Sequence, residues 1–404
     1  QKKFNKMKKI VKFLLGFFCQ PILTLSTIAD IRRPSKSHYQ ESLDLAANWL
    51  LKSQNQQISS GYSRKYSLIN GWDKPYIETT GYIIPSMHCS GILLNNKKLI
   101  ESAKKASEWL IGIQNENGFY TDIDKKDPQV FDTGQVLIGL NFMFEKTSDP
   151  RFLDSIERAC NWLISVQELN GSWVKYSYNA RPHSYYTRVA SALMLSGYIL
   201  DNEKFKEAAK NNLNWALSQR KQNNFFRYSE FRDGEDSILH TIIYVLEGFS
   251  DAYKITKDTK WLDELRISAN KLLSILNHDG LLFSQYSSDW EVTNYEYCVT
   301  GLAQLAGIFY DLANFDESQE FFNAADRVMV RLYQYQCTNN NILQGAFPSS
   351  IPIWGYYGGM DFYNWNSKFF IDASIKRLIL TSNCPDEVRS YYFRDLSISD
   401  RFRK

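Results

Sequence analysis

The stretch Cys160-Asn-Trp-Leu-Ile-Ser-Val-Gln167 decides the fold, because related copies of it recur along the chain. Three clear copies are Trp49-Leu-Leu-Lys-Ser-Gln54, Trp109-Leu-Ile-Gly-Ile-Gln114 and Trp215-Ala-Leu-Ser-Gln-Arg220. The four tryptophans are 60, 53 and 53 residues apart, and two weaker copies follow around Lys271 and Val328. Each copy has apolar residues at helical spacing, and a glycine or asparagine follows most of them. The repeat therefore predicts six amphipathic helices.

A second set of segments, more apolar and poorer in charge, lies between these copies. Its members align on Thr80, Thr133, Thr187, Thr241, Thr300 and Asn366, at intervals of 53, 54, 54, 59 and 66 residues. Thr and Asn favour helix N-termini, where their side chains accept an unpaired backbone N–H, so we expect a helix to start at each. Small residues and low charge suit helices that are enclosed on all sides.

Six hairpins, each an exposed helix followed by a buried helix, predict an all-α (α/α)6 barrel, or toroid, with the buried helices inside. The alternative is an open α-solenoid, which needs atypical capping repeats at its ends. We expect three segments: a basic and apolar N-terminal segment over 1–35, the toroid over 36–383 and a C-terminal tail over 384–404.

The composition of the 404 residues is that of a soluble globular protein, with 44% apolar residues, 23% charged residues and a formal net charge of +3. It excludes a disordered chain and a multi-span membrane protein, and it disfavours nucleic acid as a partner. The six cysteines and five histidines form no metal-ligand spacing, so neither a metal nor another cofactor is expected. The aromatic share of 15% suits the walls of a pocket.

The N-terminus carries six lysines in its first twelve residues, followed by an uncharged stretch from Phe13 to Ala29. This pattern is typical of a secretory signal, or of a basic amphipathic helix that lies on an anionic membrane. Pro21 and the short length disfavour a membrane span. We expect peripheral membrane attachment on the cytoplasmic face; a signal peptide would instead place the protein in the periplasm or outside the cell.

The loops that run from exposed to buried helices gather at one mouth of the toroid, where the buried helices direct their positive N-terminal ends. Ionisable groups near the aligned Thr and Asn residues give the catalytic candidates Glu78, Asp132, His183, Arg188, His240, Glu296 and Tyr297. The substrate-binding candidates are Trp72, Tyr76, Tyr185, Tyr186, Trp290, Trp354, Tyr356, Tyr363, Asn364, Trp365 and Lys368. Aromatic platforms beside acid–base groups predict a glycan cleft.

Several of these candidates have a structural interpretation as well. Asp132 suits a helix N-cap, and Glu78 suits a carboxylate that complements the helix dipole. His240 suits a hydrogen-bonded core histidine. Arg188 lies in an apolar helix, where a buried guanidinium needs an acidic partner or a ligand.

One candidate reaction is abstraction of the proton next to the carboxylate of a uronic acid, as in an epimerase or a lyase. The base is His240, His183 or a tyrosine, and Arg188 neutralises the substrate carboxylate. Tyr297 or Glu296 serves as the acid on the opposite side.

The other candidate reaction is glycoside hydrolysis by two carboxylates, drawn from Glu78, Asp132 and Glu296. Two alternatives are not enzymes: a glycan-binding assembly factor at the membrane, and a helical scaffold for protein interactions.

Six blocks of sequence carry a resemblance to a known family. They are Glu78–Pro85, Phe131–Gln135, Arg181–Arg188, His240–Thr241, Thr300–Gln304, and Pro352–Gly355 with Asn364–Phe369. They resemble bacterial polysaccharide-biosynthesis proteins of the VpsJ type, which are six-hairpin toroids found in capsule, exopolysaccharide and O-antigen gene clusters. The resemblance implies a role in bacterial surface or extracellular polysaccharide biosynthesis, with an oligosaccharide or polysaccharide as the partner.

Two weaker resemblances complete the comparison of motifs. Gln167–Trp173 matches the structural QxxxGxW repeat of squalene–hopene-type cyclases, but the acidic DxDD motif of those enzymes does not occur in this sequence. The predicted ring is also similar to unsaturated glucuronyl hydrolases, polysaccharide lyases and N-acylglucosamine 2-epimerases, which makes a site for sugar chemistry plausible by analogy.

Overall fold

The computed structural model describes residues 2–31, 39–121 and 127–394, with side chains from Met7 onward. It confirms the (α/α)6 toroid as two concentric rings of helices. The outer ring contains α3 (Tyr39–Asn55), α5 (Lys97–Ile113), α7 (Pro150–Ser165), α9 (Glu203–Ser218), α11 (Thr259–Ser274) and α13 (Gln319–Tyr335). The inner ring contains α4 (Ile77–Leu93), α6 (Val130–Thr147), α8 (Thr187–Ile199), α10 (Leu239–Thr256), α12 (Val299–Phe315) and α14 (Asn364–Thr381).

The tightest hairpins join an inner helix to the outer helix that follows it. Short turns make these connections, such as Leu94–Asn96 between α4 and α5, and the two helices of each pair pack closely. The long connections from outer to inner helices lie at the opposite end and form the mouth. The ring is closed rather than a solenoid, since α14 packs against both α3 and α4.

The glutamine of the sequence repeat ties neighbouring units together. Gln167 Nε2 donates to the carbonyl of Gly171, at 3.0 Å, and to that of Ala208 on the next outer helix, at 2.9 Å. Gln336 donates in the same way to the carbonyl of Ser42 on α3, at 2.9 Å, and so joins the last unit to the first. Gly171 has a φ of +88°, a conformation that glycine adopts without strain. The motif is therefore structural.

Short strands reinforce the mouth loops. They are β1 (Lys65–Ser67), β2 (Gly71–Trp72), β3 (Ser237–Ile238), β4 (Gln285–Tyr286), β5 (Val292–Asn294), β6 (Tyr297–Cys298), β7 (Ser350–Ile351) and β8 (Asp361–Tyr363). They pair antiparallel in the orders β2-β1-β8, β3-β4-β5 and β6-β7. The β1–β8 pair places Lys65 opposite Tyr363 and links the first mouth loop to the last.

The prediction that the aligned Thr and Asn residues cap the inner helices is wrong. Five outer helices have side-chain caps, from Asn96, Asp149, Asn202, Asp258 and Ser318. The inner helices have no side-chain cap bond; they begin after Tyr76, Gln129, Tyr186, Ile238, Cys298 and Tyr363. Thr80 lies one turn inside α4, where its hydroxyl donates to the Tyr76 carbonyl and accepts from the backbone N–H of Tyr62. Thr133 makes the same two contacts, with Gln129 and Tyr120, so these two hydroxyls hold the incoming mouth loops.

The segments outside the two rings also pack on the toroid. The helices α1 (Lys2–Cys19) and α2 (Pro21–Ile31) lie on the mouth loops, while α15 (Asp386–Tyr392) lies at the end opposite the mouth. In the described part of the chain, no single helix is long and apolar enough to cross a membrane. Met7–Cys19 and Pro21–Ile31 meet the length and composition criteria only as a pair, which is bent by 115°.

Candidate active site

A pocket of about 250 Å³ opens at the mouth, between the N-terminal ends of the inner helices and the loops above them. We call it the mouth pocket. Its lining comprises Tyr76, Glu78, Tyr82, Gln129, Phe131, Asp132, Tyr178, Tyr185, Tyr186, Phe231, His240, Thr241, Tyr244, Tyr357, Tyr363 and Trp365. Three predicted catalytic residues thus meet in one cavity: Glu78, Asp132 and His240. Five predicted substrate-binding residues join them: Tyr76, Tyr185, Tyr186, Tyr363 and Trp365.

His240 lies in the first turn of α10, and its imidazole is held by Gln304 of α12. The distance from His240 Nδ1 to Gln304 Oε1 is 2.6 Å, and Gln304 Nε2 donates to Glu247 Oε2 at 3.2 Å. Because the Gln304 amide nitrogen is used by Glu247, its oxygen accepts from His240, which fixes the Nδ1–H tautomer. Burial, with the nearby charges of Arg188 and Lys368, lowers the pKa of His240 to about 4. At neutral pH, His240 therefore has an Nε2 lone pair.

The two carboxylates enter the pocket from adjacent inner helices. Glu78 is the second residue of α4, and Asp132 is the third residue of α6. Gln129 rather than Asp132 holds the N-cap position, so the capping interpretation of Asp132 is wrong. The charge of Glu78 acts on Tyr82, Tyr185 and Tyr244 in the wall of the pocket. Both carboxylates also act on Tyr186, so they belong to the same site.

Eight of the sixteen residues that line the pocket are tyrosines. Burial is the largest cause that raises the pKa of Tyr82, Tyr185 and Tyr244 well above the ordinary value, and the negative charge of Glu78 adds to it. Tyr363 and Trp365 stack with ring centroids 4.0 Å apart and an interplanar angle of 12°. The wall therefore offers aromatic faces together with neutral O–H groups, a combination that suits a sugar ring and its hydroxyls.

Two of the predicted site residues, Arg188 and Lys368, lie below the mouth pocket in a second cavity of about 100 Å³. This second region, the charge cluster, consists of Arg188, Glu247, Asp251, Lys254, Asp311, Lys368, Asp372 and Lys376. Arg188 pairs with Glu247 at 3.5 Å and with Asp251 at 3.1 Å, and Lys368 pairs with Asp372 at 2.7 Å. The acidic partner expected for Arg188 is therefore present. Its guanidinium lies 5.6 Å from the ring centroid of Tyr244, behind the lining of the mouth pocket.

The charge cluster is closed from below by the C-terminal region. Tyr392 of α15 donates to Asp372 Oδ1 at 2.8 Å, and Arg394 pairs with Glu145 at 2.9 Å. Asp311 pairs with Lys254 at 3.0 Å and with Lys376 at 2.8 Å. The bore of the toroid thus holds a mouth pocket above and a set of mutually paired charges beneath it.

The other predicted catalytic residues lie outside the lining of the mouth pocket. Glu296 accepts from the backbone N–H of Tyr356 at 2.6 Å and pairs with Lys9 of α1 at 2.5 Å. Tyr297 stacks on Phe283, with centroids 5.5 Å apart. His183 lies behind the wall, where its Nε2 is 2.8 Å from the Tyr178 carbonyl; burial lowers the pKa of His183 to about 4.

The remaining predicted substrate-binding residues contact protein rather than the pocket. Trp72 packs on Trp49, Trp290 donates to the Asn223 carbonyl, Trp354 packs on Phe13, and Asn364 donates to Ser63 and Thr79. Tyr356 is 43% exposed and lies on the rim. These loop residues share the mouth with the pocket, but their side chains hold the loops together.

Tyr82, Tyr244, Tyr357 and Gln304 also contribute to the site, although the sequence interpretation did not select them as candidates. Tyr82 follows Thr80 by two positions and Tyr244 follows Thr241 by three, and both face the mouth pocket from the second turn of an inner helix. A search for aromatic residues just after each aligned Thr would have found them. Among the described residues, no group of three or more His, Cys, Asp or Glu side chains is arranged to hold a metal ion.

Comparisons with known proteins identify the fold of this chain, but they do not identify its family. No protein-family model and no curated protein matches this chain. Solved structures do: an unsaturated glucuronyl hydrolase specific for heparin aligns with a TM-score of 0.69 and 14% identity, over 85% of this chain and 97% of its own.

Two other solved structures align comparably well. Cellobiose 2-epimerase from Bacillus thermoamylovorans has a TM-score of 0.66 at 13% identity, over 80% of this chain and 94% of its own. D-mannose isomerase has a TM-score of 0.66 at 11% identity, over 86% of this chain and 99% of its own. At these identities the likeness establishes the (α/α)6 toroid, which carbohydrate hydrolases, epimerases and isomerases share.

Proposed function

We propose that this protein is a glycoside hydrolase that cleaves a neutral sugar unit held in the mouth pocket, with Glu78 and Asp132 as the catalytic pair. One observation carries the proposal: two carboxylates from adjacent inner helices, Glu78 and Asp132, line one pocket together with a neutral imidazole. A substrate carboxylate held in this pocket would lie beside the charges of Glu78 and Asp132. A neutral sugar meets no such repulsion.

The reaction needs one carboxyl group of the pair as acid and the other as base or nucleophile. The acid gives its proton to the glycosidic oxygen as the bond from that oxygen to the anomeric carbon breaks. The other carboxylate either takes a proton from the attacking water or first attacks the anomeric carbon itself. The protonated tyrosines and Trp365 bind the sugar ring, and His240 Nε2 accepts from a sugar hydroxyl.

The resemblance of six sequence blocks to VpsJ-type proteins supports a place for this chemistry in the assembly of a bacterial surface polysaccharide. The structural neighbours support an enzyme, since those named above are a hydrolase, an epimerase and an isomerase that act on sugars. A glycan-binding factor without catalysis is the alternative that the experiment below must exclude.

A second candidate function is epimerisation, and the fixed tautomer of His240 favours it. A neutral imidazole with Nε2 in the pocket can remove a proton from a sugar carbon, and the tyrosines can stabilise the oxyanion that results. The form of this reaction that acts on a uronic acid loses support, because Arg188 is paired with Glu247 and Asp251.

The test is turnover of a panel of neutral and acidic bacterial oligosaccharides in ¹⁸O-labelled and deuterated water, followed by mass spectrometry. For the wild type we expect ¹⁸O at a new reducing end without deuterium at carbon. Glu78→Gln and Asp132→Asn should each lower kcat about 10²- to 10⁴-fold. Glu101→Gln, a change at an exposed carboxylate on α5, is the matched control and should leave kcat unchanged.

The outcomes separate the candidates. Deuterium incorporation that His240→Ala abolishes, without cleavage, would replace hydrolysis by epimerisation. Sugar binding without ¹⁸O or deuterium incorporation across the panel would assign the pocket to a binding factor. Turnover that survives both carboxamide substitutions would contradict the assignment of Glu78 and Asp132.

A further inference from the structure

The N-terminal helices are attached to the side of the toroid that contains the mouth. Lys9 pairs with Glu296 at 2.5 Å, and Phe13 packs edge-on against Trp354 with centroids 5.0 Å apart. Tyr66 donates to Gln20 Oε1 at 2.7 Å. Glu296, Trp354 and Tyr66 belong to three different mouth loops. The orientation of α1 is thus fixed relative to the mouth pocket.

The opposite face of α1 and α2 is apolar and exposed. We call it the apolar stripe; it consists of Met7, Ile10, Val11, Leu14, Leu15, Phe18, Ile22 and Leu25, whose exposed fractions run from 44% to 79%. On α1 these residues recur at helical spacing, which places them on one face. Single exposed apolar residues are ordinary, but a continuous stripe of this kind marks a surface that binds something.

The charges around the apolar stripe have one sign. The sequence before Asp30 contains six lysines and no acidic residue. Lys8 and Lys12 are exposed on α1, at positions that flank the stripe. An apolar face bordered by lysines is complementary to an anionic lipid surface, which offers acyl chains beneath negative headgroups.

We propose that α1 and α2 dock the toroid on an anionic lipid bilayer, with the apolar stripe in the interface and the mouth pocket on the membrane side. The 115° bend between the helices suits a pair that lies along a surface. If the proposed function holds, this placement implies a substrate whose glycan is carried at the membrane, such as a lipid-linked oligosaccharide.

The first test is binding of the full chain to vesicles, measured by co-sedimentation in the absence of any sugar. We expect binding to phosphatidylglycerol vesicles at least tenfold stronger than to phosphatidylcholine vesicles. Leu14→Glu with Phe18→Glu should abolish it, and Lys8→Gln with Lys12→Gln should weaken it on anionic vesicles. The matched control is Ile267→Glu with Val330→Glu, which changes two exposed apolar residues on the outer helices and should bind as wild type.

The second test is the orientation on the vesicle, read from a polarity-sensitive dye at single cysteines. Cys19 is an exposed native thiol on α1, and labelling in a Cys384→Ser background confines the dye to it. With anionic vesicles, we expect a blue shift at Cys19. In a Cys19→Ser, Cys384→Ser chain we expect a smaller shift for Tyr295→Cys on the mouth side and none for Asp201→Cys at the opposite end.

Three outcomes would overturn the proposal. Equal binding of the Leu14→Glu, Phe18→Glu variant would remove the stripe from the interface, and a shift at Asp201→Cys alone would reverse the orientation. A dimer in vesicle-free solution that Phe18→Glu dissociates would assign the stripe to a second copy of the chain. Because Glu78→Gln should bind vesicles as wild type, failure here is distinguishable from failure of the proposed hydrolase.

Discussion

The mouth pocket and the charge cluster lie one above the other in the same bore, and they differ in what surrounds their polar groups. In the charge cluster, each carboxylate has a cationic partner, as Asp311 has in Lys254 and Lys376. In the mouth pocket, Glu78, Asp132 and His240 line an open cavity among aromatic side chains. Groups that neutralise one another stabilise a fold, whereas polar groups that line a cavity can contact a ligand.

Gln304 forms hydrogen bonds to both regions. It accepts from His240 on the mouth side and donates to Glu247 on the cluster side. The comparison therefore predicts that substitutions in the cluster act on stability, that substitutions in the pocket act on turnover, and that Gln304 affects the properties of His240.

The largest expected effect on stability comes from Asp311→Ala. Asp311 is 1% exposed, and its removal leaves the buried Lys254 and the partly buried Lys376 with one carboxylate fewer. Breaking a buried ion pair from one side lowers the free energy of unfolding by about 3–5 kcal/mol, and chemical denaturation measures it. Asp154→Ala, which breaks the exposed pair with Arg158, is the control and should cost less than about 0.5 kcal/mol. A small effect of Asp311→Ala would contradict a stabilising cluster.

The next-largest expected effect is a loss of folding stability at acidic pH, which two buried histidines on the mouth side of the toroid cause. The pKa of His240 and that of His183 are each lowered to about 4 by burial, against an ordinary value of 6.5. Between pH 6.5 and 4 the unfolded chain binds protons that the folded chain does not, so stability falls as the pH falls through this window. One such histidine contributes up to roughly 3 kcal/mol, at about 1.4 kcal/mol per pKa unit.

Urea denaturation at pH 7 and at pH 4.5 measures this dependence. His240→Gln should remove a large part of the difference between the two pH values. His278→Gln, at an exposed imidazole, should leave the difference as it is in the wild type. A pH dependence that is unchanged in His240→Gln would mean that His240 is not the buried neutral histidine that the pocket requires.

The sequence was sufficient to predict the ring of helices and the position of its mouth, because both depend on periodic features of the sequence. The Trp and Gln repeat marks the outer helices, and the aligned Thr and Asn residues mark the inner ones. Glu78, Asp132 and His240 were predicted as candidates for the same reason, since each lies within two residues of an aligned Thr.

The division between pocket and cluster could not be predicted from distance along the chain. Arg188 directly follows Thr187, but a step of one residue turns the side chain by about 100° around the helix, and here it reaches the cluster. A signal for the cluster was present: Glu247 and Asp372 each follow their aligned residue by six positions. Charged side chains this far inside apolar helices are not solvated. They therefore predict oppositely charged partners on neighbouring helices.

The smallest expected effect, and the sharpest test of the contact between the two regions, is at Gln304. In the wild type, ¹⁵N NMR of the histidine side chains should show His240 with its proton on Nδ1, since Gln304 accepts from that atom. Gln304→Leu removes a hydrogen bond of about 1 kcal/mol from each region, so we expect a mixture of tautomers and a small loss of stability. With five histidines in the chain, His240→Gln assigns the signal. An Nε2–H tautomer in the wild type would reverse donor and acceptor in both hydrogen bonds between His240 and Glu247. His240 Nε2 would then be a hydrogen-bond donor in the pocket and not a base.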